Sequence, residues 1–429
     1  MRRVPGRQAG LLRQRDELHR RRRHDRTGAV LSPARTPWGL VGLLVAAGMV
    51  AAFHVGKVPP AIPSILADLG ASLRQAGWLL AMVNLTAAIG GMTIALTVDR
   101  FGHRRLVVLG TALCFATSLL GAFADSIDLL LVWRFLEGLG FIIVTVSVPT
   151  LVLRVTRPAD RHLAMTIWTA YMPAGVGTMM LIAAAILPGT SWHAVWLVAS
   201  GASLIMLLAL LLRAVPRQEL DAQSMSRRPI LHEMAEVATS GGPLAIALCF
   251  GAYSCCWLAI VGFLPTLQVE RLGFSTSTAA IVTALVTAVN VAGNLLAGML
   301  LQRGLPRAAI IAGAAISMAF CAAGVFIDGV PDLWRLMLAG LYSAVIGVVP
   351  GALFTALPMH SPRPELVGAS TGLLMQGSNL GGLIGPPMTG ALVASGGWPA
   401  AAWLTSTALG VVAVSALFLH WRERRKLAA

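Results

Sequence analysis

Charge is what this 429-residue chain is short of. Asp, Glu, Lys and Arg together make up 12% of it and hydrophobic residues 56%, whereas a soluble domain carries about a quarter charged residues. That balance excludes a water-soluble globule. Lysine nearly vanishes, with Lys57 and Lys426 the only two among 33 cations. The five cysteines (Cys114, Cys249, Cys255, Cys256, Cys321) all fall inside apolar runs and show no metal-ligand or disulfide spacing. They read as packing residues. No Walker A run, no G-x-S-x-G, no H-E-x-x-H and no stretch long enough for a soluble nucleotide-binding domain occurs. Enzymatic catalysis and ATP hydrolysis in this chain are excluded on that ground, and no cofactor or metal is called for. A net charge of +15 would admit a nucleic acid, but the cations sit at the ends of apolar runs, so none is expected as a partner.

What the chain has is apolar length. Twelve segments, about 38–58, 75–97, 104–124, 127–153, 162–187, 192–213, 243–268, 276–301, 307–327, 332–358, 365–394 and 398–420, are nearly free of charge. A run of roughly 20 residues spans a hydrocarbon core of about 30 Å as a helix. Gly and Pro recur within the segments, as membrane helices tolerate. The lipid bilayer is therefore the first partner.

The cations give an orientation. Residues 1–36 hold eleven arginines, including Arg20 to Arg23, and lack an apolar run of their own. They read as a disordered arm on anionic lipid, not as a cleavable signal peptide. With the even-numbered hairpin loops and the C-terminal tail, 28 of the 33 cations share one face; Lys57, Arg74, Arg271 and Arg335 flank the other, and Arg134 lies within a segment. The cation-rich face is expected to be cytoplasmic, with both termini inside, in the plasma membrane of a bacterium.

Between the second and third segments runs Thr97-Val-Asp99-Arg100-Phe-Gly102-His-Arg104-Arg105. This is a tight hairpin, and Asp99 is placed to cap the helix that follows. Ala95-x-x-x-Asp99-Arg100-x-Gly102-x-Arg104-Arg105 resembles the loop signature of the major facilitator superfamily, G-x-x-x-D-[RK]-x-G-[RK]-[RK], with Ala95 in place of glycine. Arg134-Phe-Leu-Glu137-Gly138-Leu-Gly140, opening the fourth segment, is similar to that family's R-x-x-[QE]-G-x-G. The resemblance implies an all-α integral membrane fold with twelve transmembrane helices in two six-helix pseudo-repeat halves. It also implies a secondary transporter working by alternating access.

Two internal matches support repeated halves. Gly56-Lys57-Val58-Pro59 leading to Leu69-Gly70-Ala71-Ser72 resembles Gly262-Phe263-Leu264-Pro265 leading to Leu272-Gly273-Phe274-Ser275. Ala95-x-x-x-Asp99-Arg100 likewise resembles Gly298-x-x-x-Gln302-Arg303. The expected organisation is an Arg-rich tail at 1–36, a six-helix bundle at 37–213 and a cytoplasmic linker at 214–242. A second bundle at 243–421 and a tail at 422–429 follow. Such halves place a substrate site between them near mid-membrane.

Ionisable residues within a span cost about 2.5–3.5 kcal/mol on insertion scales, so each needs a reason. Lys57, with His54 three residues earlier on the same helical face, precedes Pro59, Pro60 and Pro63. It reads as a cationic contact for an anionic substrate, or as a lysine snorkelling to the outer interface. Glu137 is the one acid in the interior of a span, Asp128 and Asp332 standing at the ends of theirs. Arg134, three residues before it, either neutralises it or tunes it as a proton carrier, the cation and the burial acting in opposite senses. In the superfamily that arginine is associated with proton coupling or with negative groups. His54 is the second protonatable group. Trp168, Tyr171, Trp257, Asn290, Gln376 and Asn379 are the remaining candidates for substrate contact; the glycines around the last two, Gly372 to Gly390, read as close helix packing.

The expected function is proton-coupled uptake of a small organic or inorganic anion by a monomer. It resembles, at a distance, the cyanate and nitroimidazole transporter branch. Proton-driven drug efflux through Glu137 is the alternative. Asp99, Arg100, Gly102, Arg104 and Arg105 are expected to form the conformational switch.

Overall fold

A computed structural model describes residues 35–213, 230–363 and 366–428. Most of the arginine arm and the first part of the linker lie outside these residues, as do the side chains of Asp99, Arg100 and Asn294. Among the described residues every regular element is helical.

Among the described residues fifteen α-helices build twelve rods, and a sixteenth lies in the linker. The first rod is α1 (Trp38–Gly56) continued by α2 (Val58–Leu69). Then come α3 (Leu73–Phe101), α4 (His103–Gly121) and α5 (Ile127–Val155). The fifth rod is α6 (Arg161–Thr169) with α7 (Tyr171–Ile186), and the sixth is α8 (Trp192–Leu212). A short linker helix, α9 (Ile230–Thr239), precedes α10 (Gly241–Leu272), α11 (Thr276–Gln302) and α12 (Arg307–Phe326). The tenth rod is α13 (Asp332–Ile346) with α14 (Val348–His360); α15 (Val367–Gly396) and α16 (Trp398–Ala428) complete the set. Nine of these rods, 19 to 32 residues long, have membrane-crossing length and hydropathy over their described residues; α3, α11 and α15 are 29, 27 and 30 residues long. The outer surface is apolar, with Leu212 86%, Trp403 79% and Phe320 72% exposed. Lipid is the solvent that such a surface fits.

Three rods are broken, at Lys57, Ala170 and Gly347. Each break sits two or three residues before a proline (Pro59, Pro173, Pro350), whose missing N–H leaves a carbonyl one turn back without its helical donor. In the first rod the interruption at Lys57 is followed by a second helix that carries the rod on to Leu69. The other two interrupt segments read from sequence as continuous. Proline alone does not decide, because Pro149, Pro265 and the Pro386–Pro387 pair lie inside unbroken helices.

At the second hairpin, α3 runs on to Phe101 and the residue before α4 is Gly102, at φ 86°. Asp99 is therefore inside the last turn of α3 rather than at the cap position expected for it. Gly102 has the left-handed backbone that the sharp reversal requires. Arg104 is half-buried and Arg105 exposed.

Internal repetition shows at the ends away from the arginines. The first rod and α10 both end on a left-handed glycine, Gly70 and Gly273. In both halves a serine then caps the next rod: Ser72 with Gln75, and Ser275 accepting from the Thr278 amide. Trp192, opening α8, donates its indole N–H to Asp68 at 2.8 Å; Trp398, opening α16, donates to Glu270 at 3.1 Å. Each half thus pins the far end of its first rod to the start of its sixth.

Glycine sets how closely rods approach. Gly377, Gly381 and Gly385, spaced by four, lay one face of α15 on the backbone of α10 at Ala247, Gly251 and Cys255. A Cβ at Gly381 would stand 1.8 Å from the Gly251 carbonyl. The other face of α15 meets α3 across the halves, Gly390 on Leu73, Pro386 on Gly77, and Gly382 on the Asn84 amide. On the opposite side α7 packs against α11. The contacts between α3 and α15 that involve described side chains run from the ends remote from the arginines to mid-rod, where Gln376 Nε2 donates to the Ala88 carbonyl at 2.7 Å.

Candidate functional site

Among the described residues of the first half, one ionic centre is fully buried. The break after Gly56 ends α1 with His54 and Lys57 on one side, and α5 brings Arg134 and Glu137, one turn apart, to meet them. All four side chains are 0–1% exposed. Glu137 Oε1 accepts from Lys57 Nζ and lies 2.5 Å from His54 Nδ1, while Oε2 accepts from Arg134 Nη1. Arg134 also donates to the His54 carbonyl at 2.8 Å and to the Leu79 carbonyl of α3 at 3.2 Å. Lys57 donates to Ser118 Oγ of α4 at 2.8 Å and lies 4.4 Å from the ring centre of Trp196 on α8. His54 Nε2 meets Ser203 Oγ of α8 at 2.8 Å.

Five of the six rods of this half therefore contribute. Removing one member of such a buried set leaves a charge without its partner, at a cost of about 3–5 kcal/mol. With Lys57, Arg134 and Glu137 ionised the centre carries net positive charge, neutralised only in part by its single carboxylate.

His54, Lys57 and Arg134 were expected to meet substrate in a cleft between the halves. In this conformation they are enclosed within one half and engaged with Glu137. The seam between halves is built by other residues. Ala52, Val176 and Met180 pack on Val261 and Ala284, flanked by Val55, Tyr171, Met172 and Trp257. Ala52 and Val55 lie on the side of α1 turned to this seam; His54 and Lys57, two residues further on in each case, are turned away.

Of the other expected contacts, Tyr171 and Trp257 are half-buried at the seam. Trp168 is buried and stacks on Tyr171, ring centres 4.2 Å apart, both rings lying flush on Gly48. Gln376 and Asn379 are half-buried on α15, Asn379 about one turn and Gln376 nearly two turns before Gly382 and its Asn84 contact. Asn290 belongs elsewhere: it is inside the second half and donates to the Ser343 carbonyl at 3.1 Å.

Sequence reasoning missed Ser118, Ser203 and Trp196, which complete the centre from α4 and α8. A serine in an apolar span carries no local sign of its partner. It missed Phe250 as well, whose ring stacks on Tyr253 at 5.1 Å on α10. No group of His, Cys, Asp and Glu suited to a metal ion occurs among the described residues.

Comparison with known proteins decides the family, because the sequence profile of the Major Facilitator Superfamily matches residues 43–379. The chain belongs to the Major Facilitator Superfamily. It is a multi-pass membrane protein that acts as a transporter of small molecules, not an enzyme. The 3-(3-hydroxy-phenyl)propionate transporter of Escherichia coli (strain K12) is 23% identical over 353 residues, 82% of this chain and 86% of that protein. The tetracenomycin C resistance and export protein of Streptomyces glaucescens is 31% identical over 175 residues, 40% of this chain; the match spans only 32% of that protein's length. A bacterial homolog of the human lysosomal transporter Spinster, solved inward-facing and occupied, superposes with a TM-score of 0.76 at 16% identity, covering 91% of this chain and 97% of that one. At that identity the likeness concerns the superfamily fold alone.

Proposed function

We propose that this superfamily member takes up a small organic anion, an aromatic carboxylate, together with a proton. The observation that carries the reading is the ionic centre, where one buried carboxylate faces Lys57, Arg134 and His54 and leaves positive charge inside the membrane. Charge buried at that cost is retained for a task, and an anion entering with a proton is the cargo it favours. Glu137 and Arg134 form the coupling element. Tyr171, Trp168 and Trp257, with Gln376 and Asn379, supply ring and hydrogen-bond contacts. The near full-length likeness to a hydroxyphenylpropionate transporter supports the same cargo class.

The arginine-rich face is cytoplasmic in this proposal, and the bacterial inner membrane is the location. The halves are residues 37–213 and 243–421, rocking as a monomer with the hairpin of Asp99, Arg100, Gly102, Arg104 and Arg105 as the switch. The contacts between α3 and α15 at the far ends support an inward-facing state. Drug efflux is the second reading, favoured by the likeness of 175 residues to a resistance and export protein.

Reconstituted protein tests the two. Vesicles with an inwardly directed proton gradient are expected to accumulate 3-hydroxyphenylpropionate or benzoate and to ignore ethidium. Accumulation of ethidium in inverted vesicles, without carboxylate uptake, would replace the proposal with efflux.

A further inference from the structure

The protons of the ionic centre can be counted from its acceptors. Ser203 donates its hydroxyl hydrogen to the Ala199 carbonyl at 3.0 Å, so its oxygen accepts from His54, and His54 Nε2 carries a hydrogen. At the other edge of the ring, Nδ1 stands 2.5 Å from Glu137 Oε1. A bare ring nitrogen and a carboxylate oxygen both present lone pairs there, and a contact of that kind needs one proton between them. The loaded centre therefore holds a proton shared by His54 and Glu137.

The neighbours decide which partner owns it. Both Glu137 oxygens already accept charge-assisted bonds, Oε1 from Lys57 on the first rod and Oε2 from Arg134 on α5, and such bonds favour the ionised carboxylate. The ring faces one anion and two cations, Glu137, Lys57 and Arg134, and no other charged group among the described residues acts on it. The remaining surroundings carry no formal charge: Ser118 and Cys114 on α4, the thiol reaching the Glu137 carbonyl at 3.8 Å, and Ser203 and Trp196 on α8.

The unloaded state is also provided for. Lys57 has three hydrogens, and its acceptors are Glu137, Ser118 and, at 3.5 Å, His54 Nδ1. Ser118 gives its own hydrogen to the Trp196 carbonyl at 3.0 Å and so accepts from the lysine. When Nδ1 loses its proton, the third lysine hydrogen has a lone pair waiting for it. The polar side-chain atoms of His54, Lys57 and Glu137 keep a partner in both states.

We propose that His54 is the residue that carries the coupled proton, alternating between imidazolium and a neutral Nε2–H ring, while Glu137 stays ionised. The proton is gained from water on one face and given to water on the other as the halves rock. Lys57 and Arg134 act as positioning residues that hold the carboxylate as its counter-charge. This rests on the proton-coupled reading above and deepens it, with the Glu137–Arg134 pair holding the ring on which the proton itself resides.

The test uses the full chain in proteoliposomes, with 3-hydroxyphenylpropionate as probe and a pH-dependent infrared difference spectrum. His54→Gln keeps an amide able to reach Ser203 and Glu137. It is expected to lose gradient-driven accumulation by about tenfold or more and to flatten the pH dependence of counterflow that the wild type shows. Accumulation equal to wild type would overturn the assignment. Wild-type uptake indifferent to the pH gradient would instead refute the coupling reading itself. The infrared spectrum of the unliganded wild type needs no transported probe and no variant of His54. Imidazole ring bands are expected to titrate with no protonated-carboxyl C=O band. A C=O band that titrates in the wild type and vanishes in Glu137→Gln would give the proton to Glu137 and end the proposal.

Discussion

Glu137 is the residue on which three others depend, His54, Lys57 and Arg134. Three nitrogen donors converge on its carboxylate within one half of the molecule. Replacing it by Gln removes the counter-charge that lets His54 gain a proton beside Lys57 and Arg134. Glu137→Gln is expected to abolish pH-driven accumulation, by about tenfold or more, and to spare substrate exchange, measured by counterflow in vesicles. Arg134 has a different sensitivity. Its planar group reaches Glu137 and two carbonyls on separate helices at once, a fork that lysine cannot reproduce. Arg134→Lys is expected to destabilise the protein by about 1–3 kcal/mol, read as a lowered melting temperature in detergent, with the charge itself conserved.

At the scale of the helix, packing rests on absent side chains. Gly381 lies against the Gly251 carbonyl so closely that any Cβ collides with backbone. Gly381→Val is expected to cost about 1–3 kcal/mol or more through overpacking, and to reduce the monodisperse yield on size exclusion. Gly372, on the same helix with open space around it, is expected to accept alanine unchanged. The existence of twelve rods was legible in the sequence because hydrocarbon demands about 20 apolar residues per crossing, whatever the partners. The Arg134–Glu137 pair was legible from its spacing of three. The breaks at Ala170 and Gly347 were not, since neighbouring helices decide which prolines interrupt a rod. Nor was the orientation of Lys57: two residues along α1 separate the seam from the core, and that rotation is set by tertiary contacts with α4, α5 and α8. Serines 118 and 203 look like any others in an apolar run until the rods are brought together.

On the scale of the whole molecule, two pinned halves meet along α3 with α15 and α7 with α11. The indole–carboxylate pairs Trp192–Asp68 and Trp398–Glu270 hold each half together at the ends remote from the arginines, so movement between halves is favoured over movement within them. Under the proposed role of the Asp99 hairpin as the switch, the hairpin would act on the rate of exchange between states. Asp99→Asn is expected to slow turnover by about fivefold to tenfold with binding affinity unchanged, compared by equilibrium binding against initial uptake rates. A variant with wild-type turnover would remove the hairpin from the switch.

A histidine that takes up one positive charge as one negative cargo is admitted has an electrical consequence. The loaded carrier and the empty carrier then differ by no net charge, so a complete cycle moves none across the bilayer. A membrane voltage worth about 2.3 kcal/mol per elementary charge at 100 mV has nothing to act upon. Such a carrier concentrates its cargo on acidity alone, and clamping the potential with valinomycin and potassium should leave the final accumulation ratio where it was.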